Sequence, residues 1–318
     1  MRASGTTAAR IVMTHRDVKL MIGRNTLKRT VKRTAGWASM LEWLLAAPAA
    51  RQTACIFYYH RIADVKFVDP RIDDWNVSPL LFERQVAALS EFAEIVPLLD
   101  LPHRLKLPAA NSKPLVCLTF DDGYAGFHSQ ALPILQRYRA PATTFVVTGN
   151  IGRSEPQQFD KWALKHQATS APETWRAMTW KELEECAATG LIAIGAHSHR
   201  HLKGSCCTPS QMAEEAEVSR EMLRRRLGAG HARAYAYPYG STRLRDASPG
   251  YAQAVRAADY EMAVTTDLGL VSPNSDPYLW PRIEAHAVDV PRVLQAKAGG
   301  ALASYNLTDH FRLVNRAL

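Results

Sequence analysis

The run Leu115-Val116-Cys117-Leu118-Thr119-Phe120, broken off by Asp121-Asp122-Gly123-Tyr124, constrains the fold of this chain more than any other stretch. Six mostly apolar residues with β-branched and aromatic members read as a buried strand, and Asp-Asp-Gly ends it abruptly. Two carboxylates therefore stand at a strand's C-terminal end. Adjacent carboxylates in a partly dry site repel each other, so keeping both ionised requires a cation or a proton beside them. Asp121 and Asp122 are thus a candidate acid/base and metal pair. An Asp-Gly turn capping a strand accounts for the same residues without any chemistry, and this stretch alone leaves both readings open.

Elsewhere the chain repeats the pattern of a strand that delivers polar residues. Cys55 to Tyr59 is rich in strand formers and runs into His60. Thr143 to Thr148, Leu191 to Ala196, Ala234 to Tyr239, Met262 to Thr266 and Trp280 to Ala285 read as further strands, and Ile95 to Leu101 as a short one. Ser78-Pro79 opens a helix whose core stripe is Phe82, Val86, Leu89 and Phe92. Further helices are expected near Ser129 to Tyr138, after the capping box of Thr179 and Glu182, over about Pro209 to Leu227, and over Pro249 to Ala258. An insertion from Asn150 to Met178 carries Trp162 and Trp175, which read as a plug rather than as a groove lining. Strands alternating with helices pair in parallel through right-handed crossovers. The expected architecture is α/β, a (β/α) barrel or strongly curved parallel sheet with its chemistry at the C-terminal strand ends. The folded domain is expected over 53–290, between a basic helical extension (1–52) and a helical C-terminal tail (291–318).

At 318 residues the chain can bury one large core or two modest ones. Its net charge of +9 is unevenly placed, since Arg10, His15, Arg16, Lys19, Arg24, Lys28, Arg29, Lys32 and Arg33 crowd the N-terminus. Such an arm suits an anionic membrane surface or a solvated basic helix; without aromatic interleaving it makes a poor nucleic-acid reader. Trp37 to Ala50 reads as an amphipathic, membrane-apposed helix, too interrupted by Glu42 for an ordinary export signal. Five cysteines form no metal-binding pair, and Cys55 and Cys117 lie in apolar runs, so buried reduced thiols are expected. A cytoplasmic protein peripheral to a membrane is the corresponding expectation.

Each polar cluster falls where a strand should end, and a barrel brings those ends to one rim. His197 and His201 are four apart after an apolar strand. With one carboxylate they would make an N,N,O face on a divalent ion that leaves positions for water and substrate. His199, between them, is expected to point elsewhere.

These motifs resemble the polysaccharide deacetylases, the family-four carbohydrate esterases, over about residues 54 to 290. The first is Thr119-Phe120-Asp121-Asp122-Gly123-Tyr124 and the second His197-Ser198-His199-Arg200-His201. The resemblance implies a distorted (β/α) barrel of about seven parallel strands. It also implies Asp121 as catalytic base, and Asp122, His197 and His201 as ligands of one divalent ion, zinc first, with cobalt, nickel or manganese as alternatives. The third motif departs from the family, because Tyr235-Ala236-Tyr237-Pro238-Tyr239-Gly240 lacks the arginine that orients the base. Arg282, in Trp280-Pro281-Arg282-Ile283, is the candidate substitute, and a surface arginine is the competing reading. No strand near the C-terminus ends in the family's catalytic histidine. Phe57-Tyr58-Tyr59-His60 resembles that motif instead, as in a circularly permuted branch, which makes His60 the general acid and His286 the competitor. The backbone N–H of Tyr239 is the expected oxyanion donor. The implied substrate is an N-acetylated glycan or a lipid-linked N-acetyl sugar. A barrel that binds glycans without turnover and a metal-dependent phosphoesterase are the alternatives.

Overall fold

The computed structural model describes residues 30–42, 53–65, 75–107 and 113–303. Seven strands form its centre: β1 (Ala54–Tyr59), β2 (Leu115–Phe120), β3 (Ala142–Val146), β4 (Ile192–Ala196), β5 (Ala234–Ala236), β6 (Met262–Val264) and β7 (Ile283–Glu284). They lie in the order β7-β1-β2-β3-β4-β5-β6, and every pairing is parallel. Trp280 bridges in parallel to Val264 on β6, while Ile283 pairs with Phe57 on β1. The segment leading into β7 therefore touches both edges of the sheet, and the sheet curls into a distorted barrel. Because all strands point the same way, their C-terminal ends share one rim.

Alternation along the strands divides the apolar residues into two cores. Ala54, Ile56, Cys117, Phe145, Ala234, Ala236, Met262, Val264 and Trp280 fill the barrel. The intervening residues, Cys55, Phe57, Tyr59, Val116, Leu118 and Phe120, face the surrounding helices. Those helices are α1 (Pro79–Phe92), α2 (Leu132–Tyr138), α3 (Lys161–His166), α4 (Trp180–Ala188), α5 (Pro209–Leu227), α6 (Pro249–Ala257) and α7 (Pro291–Ala298). Their starts follow from the sequence: the side chains of Ser78, Thr179, Thr208 and Ser248 each cap the first turn, and at Thr179 and Thr208 the capping box is complete.

Three strand expectations shorten for a common reason, the missing N–H of proline. The strand expected from Ile95 stops there, because Pro97 leads into a 3-10 turn at Leu98–Asp100 and a helical turn at Leu101–Arg104. The strand from Ala234 stops at Ala236, ahead of Pro238, and the one expected from Trp280 is confined to Ile283–Glu284, after Pro281. Trp162 and Trp175 are both buried, so the insertion is a plug. All five cysteines are free, with Cys55, Cys117 and Cys186 buried.

Residues 30–42 form a helix that packs on the C-terminal region: Ala35 meets Val293, and the Ser39 hydroxyl donates to the Ala301 carbonyl at 2.5 Å. Its exposed side carries Trp37 and Leu41, 62% and 59% accessible. The rest of the amphipathic stretch expected up to Ala50, and the basic residues before 30, lie outside the described residues. No described helix is long and apolar enough to cross a membrane.

Candidate active site and metal centre

β2 delivers Asp121 and Asp122 to the rim, and the backbone there decides which way each points. Thr119 and Asp121 continue the inward alternation of the strand. Asp122 then takes a left-handed conformation (φ 69°), which turns its carboxylate sideways along the rim. Gly123 is left-handed as well (φ 66°), and a Cβ at that position would meet Val146 Cγ1 at 2.8 Å, so the turn tolerates no side chain. Ser198, His201 and Tyr239 also have positive φ, at 63°, 58° and 61°. Non-glycine residues in this region are uncommon, and their concentration at one rim is the backbone strain that functional sites store.

Arg282, wholly buried, rises from the barrel interior to Asp121. Its Nη1 donates to Asp121 Oδ1 at 2.8 Å and to Thr119 Oγ1 at 3.1 Å, its Nη2 donates to Asp121 Oδ2 at 2.7 Å, and its Nε donates to the Thr265 carbonyl at 2.8 Å. The guanidinium lies 4.6 Å over the Tyr58 ring. A planar fork on a carboxylate is the geometry that lysine cannot supply. Burial works to raise the Asp121 carboxyl's pKa, but the charges of Arg282, His197 and His60 outweigh it and hold the carboxyl below its ordinary value. Asp121 is an ionised carboxylate at neutral pH. The arginine absent from the Ala236 position has a counterpart approaching from β7.

Asp122 is also nearly inaccessible, yet its surroundings differ. Its Oδ1 stands 3.4 Å from His197 Nε2 and 3.4 Å from His201 Nε2, and that oxygen has no hydrogen-bond donor among the described residues. The Nδ1 of His197 lies 2.8 Å from the Ala236 carbonyl, which can only accept, so the proton sits on Nδ1 and the Nε2 lone pair is aimed at the site. Burial pushes the His197 pKa down to about 4, which keeps the ring neutral, as a metal ligand must be. Against the effect of burial, His201, His60 and His197 hold the Asp122 carboxyl well below the usual carboxylate range. One oxygen and two imidazole nitrogens thus converge within 4.8 Å of one another. Donors around a tetrahedral ion with bonds of about 2.1 Å stand about 3.4 Å apart, the separation of Asp122 Oδ1 from each imidazole nitrogen, so the donor set suits a divalent ion.

The loop that carries both histidines is fastened from outside. Glu215, fully buried on α5, accepts from the His199 N–H (3.0 Å), the Arg200 N–H (2.7 Å) and Arg200 Nε (2.6 Å). The Ser198 hydroxyl accepts from the His201 N–H at 2.9 Å, and Phe159 stacks on the His201 ring at 3.7 Å between centroids. Gln157 donates to the Asp122 carbonyl at 3.1 Å. His199 turns away and meets the Thr148 hydroxyl at 3.0 Å. The sequence pointed to none of Glu215, Gln157 and Phe159. Only Glu215 left a trace, as a lone charge on the apolar stripe of Met212, Ala216 and Leu223; the other two lie in an irregular insertion with no period to read.

His60 leaves β1 at the same rim, its ring 5.7 Å from Tyr58 and stacked 5.2 Å from Trp75. His286 is placed differently. Its Nδ1 lies 3.0 Å from Glu284 Oε1 and 3.2 Å from Lys32 Nζ, within a buried polar network that includes Asp289 and Lys297. Tyr239 is half-exposed, its ring 5.1 Å from that of His201, and its N–H has no acceptor among the described residues.

A sequence model of the polysaccharide deacetylase family matches residues 109–263, which contain both the aspartate pair and the histidine loop. Among curated proteins, the poly-beta-1,6-N-acetyl-D-glucosamine N-deacetylase of Staphylococcus aureus is 25% identical over 252 residues, covering 73% of this chain and 78% of that protein. Among solved structures, the Streptococcus pyogenes deacetylase PplD in complex with acetate superposes with a TM-score of 0.60 at 24% identity, over 76% of this chain and 96% of that one. IcaB from Ammonifex degensii gives a TM-score of 0.60 at 23% identity, over 79% and 97%. These structures share the barrel. The barrel rim, both motifs and the matched segment agree, and residues 109–263 are those of a polysaccharide deacetylase domain.

Proposed function

We propose that this chain hydrolyses the acetamide of an amino sugar in a glycan, releasing acetate and leaving a free amine, with one divalent ion held by Asp122, His197 and His201. The observation that carries this reading is the buried Asp122 Oδ1, left without a hydrogen bond between two imidazole nitrogens, beside a second carboxylate that Arg282 already neutralises. Zinc suits two nitrogens and one oxygen, and cobalt, nickel or manganese accept the same donors. When bound, such an ion polarises a carbonyl and lowers the pKa of water, the two deficiencies of amide hydrolysis at neutral pH.

The chain's own residues divide the remaining work. Asp121, ionised and locked by the Arg282 fork, takes the proton from the attacking water. The Tyr239 N–H, without an acceptor among the described residues, donates to the oxygen on which negative charge develops, and losing one such fixed donor costs about a hundredfold or more in rate. His60, from the β1 end of the rim, protonates the departing amine nitrogen. Its place on the first strand supports the permuted strand order. His286 is the weaker candidate for that acid, because Glu284 and Lys32 already engage its Nδ1. The named substrate of the staphylococcal relatives makes polymeric N-acetylglucosamine the proposed substrate class. A lipid-linked precursor and contact with an anionic membrane remain part of the proposal through the basic residues before position 30. A barrel without turnover drew its support from the arginine missing at Ala236, and the Arg282 fork removes that support.

The test is acetate release from N-acetylglucosamine oligomers by zinc-loaded protein, with loss of 42 daltons per acetyl group removed. Zinc-loaded protein that releases phosphate from phosphoesters but no acetate from any N-acetylated glycan would overturn the reading.

A further inference from the structure

Trp162, Trp175 and Trp280 are buried, whereas Trp75 is 42% exposed at the rim. Its position belongs to the fold. Asn76–Val77 pairs in parallel with Arg61–Ile62, directly after His60. The Arg61 N–H donates to the Trp75 carbonyl at 3.3 Å, the Ala63 N–H to the Val77 carbonyl at 3.2 Å, and the Asn76 amide to the Ala63 carbonyl at 3.0 Å. This ribbon holds the indole nearly parallel to the His60 imidazole, at 22° and 5.2 Å between centroids. Farther around the barrel, the half-exposed Tyr239 stands beside His201.

A half-exposed indole fixed beside a hydrolytic centre has a chemical use. Pyranose rings present a patch of C–H groups, and a rigid aromatic face offers large apolar area at little cost in side-chain entropy. The nitrogen that leaves beside His60 is bonded directly to such a ring. The ring, or its neighbour along the glycan, therefore comes to rest within reach of Trp75. We propose that Trp75 is a pyranose-stacking subsite that holds the glycan on the His60 side of the cleft, an inference that rests on the deacetylase reading above.

Steady-state kinetics of wild type, Trp75→Ala and Trp75→Phe test it with two substrates, an N-acetylglucosamine pentamer and 4-nitrophenyl acetate. The ester has no sugar, and its leaving group needs no proton. Trp75→Ala should raise KM for the pentamer about tenfold and leave kcat/KM for the ester within about twofold, with Trp75→Phe between wild type and Ala. An unchanged pentamer KM, or an equal loss on both substrates, overturns the subsite; so does a fall in kcat alone. If zinc-loaded wild type cleaves no glycan, the deacetylase reading fails, and calorimetric titration with a glucosamine pentamer still decides. About tenfold weaker binding by Trp75→Ala supports the subsite, and equal or undetectable binding by wild type refutes it. Wild type labelled with 5-fluorotryptophan needs no altered fold: the Trp75 resonance, assigned with Trp75→Phe, must shift when the glucosamine pentamer is added, and an unmoved resonance overturns the proposal.

Discussion

Two buried carboxylates in this molecule, Asp122 and Asp160, are equally hidden from water and differ in almost everything else. Asp160 caps α3, its Oδ1 accepting from the Ala163 N–H at 2.9 Å. Its Oδ2 accepts from the Tyr124 hydroxyl at 2.8 Å and from Arg61, whose guanidinium lies 4.5 Å and 4.8 Å from the centres of the Trp162 and Tyr124 rings. Both oxygens are satisfied. Asp122 instead keeps Oδ1 without a hydrogen bond, facing two imidazole nitrogens. Burying an ionised carboxylate without a partner is costly, so the open oxygen is what supports the cation proposed for this site. The closed carboxylate marks structure. Burial alone therefore does not separate a site from a brace; the state of the oxygens does.

The comparison can be broken from the catalytic side first. Asp121→Asn should lower turnover by about a thousandfold or more while zinc content, read by elemental analysis, stays at wild-type level. A fully active variant would remove Asp121 from its role. His197→Ala combined with His201→Ala should abolish zinc binding in equilibrium dialysis, because two of three donors are gone. Asp160→Ala is the counterpart on the closed side. It breaks the buried pair with Arg61 and the cap of α3, and about 1 to 3 kcal/mol should be lost in denaturant unfolding while zinc affinity in the folded protein is unchanged. Zinc loss in Asp160→Ala without loss of stability would erase the distinction drawn here.

A third carboxylate sharpens the scale at its small end. Glu182 completes the capping box of α4 and binds Arg176 through both oxygens, at 2.8 Å and 2.6 Å. Despite partial burial, these bonds hold its pKa down to about 2, below the ordinary 4.5. A depressed carboxyl stabilises the fold above its unfolded pKa, and that stability is lost as pH falls through the folded value. Glu182→Gln should therefore cost about 1 kcal/mol at pH 7, with the gap to wild type closing between about pH 4.5 and pH 2. A gap independent of pH would mean that the charge of Glu182 contributes nothing.

Much of this was legible before the structure. The strand into Asp121-Asp122, the caps at Ser78 and Thr179, the span of α5 and the buried tryptophans of the insertion are written in local patterns, because caps and periodicity act over a few residues. Strands end short of their apolar runs where proline removes a ladder donor. The polar residues that hold the site were hidden for a different reason. Glu215 sits fourteen positions beyond His201, and Gln157 and Phe159 stand in a segment with no repeat, so their contacts exist only once the chain has closed.

The sequence by itself determined that strands would alternate with helices and that acidic and imidazole groups would stand at strand ends, since both follow from the order of neighbours along the chain. Only the tertiary structure decided that Arg282 grips Asp121, that Asp122 faces two imidazoles and that His286 is drawn into another network. Those outcomes depend on sheet closure and on the left-handed turn at Asp122, which bring together residues such as Asp121 and Arg282, 161 positions apart, with an accuracy that no local pattern encodes.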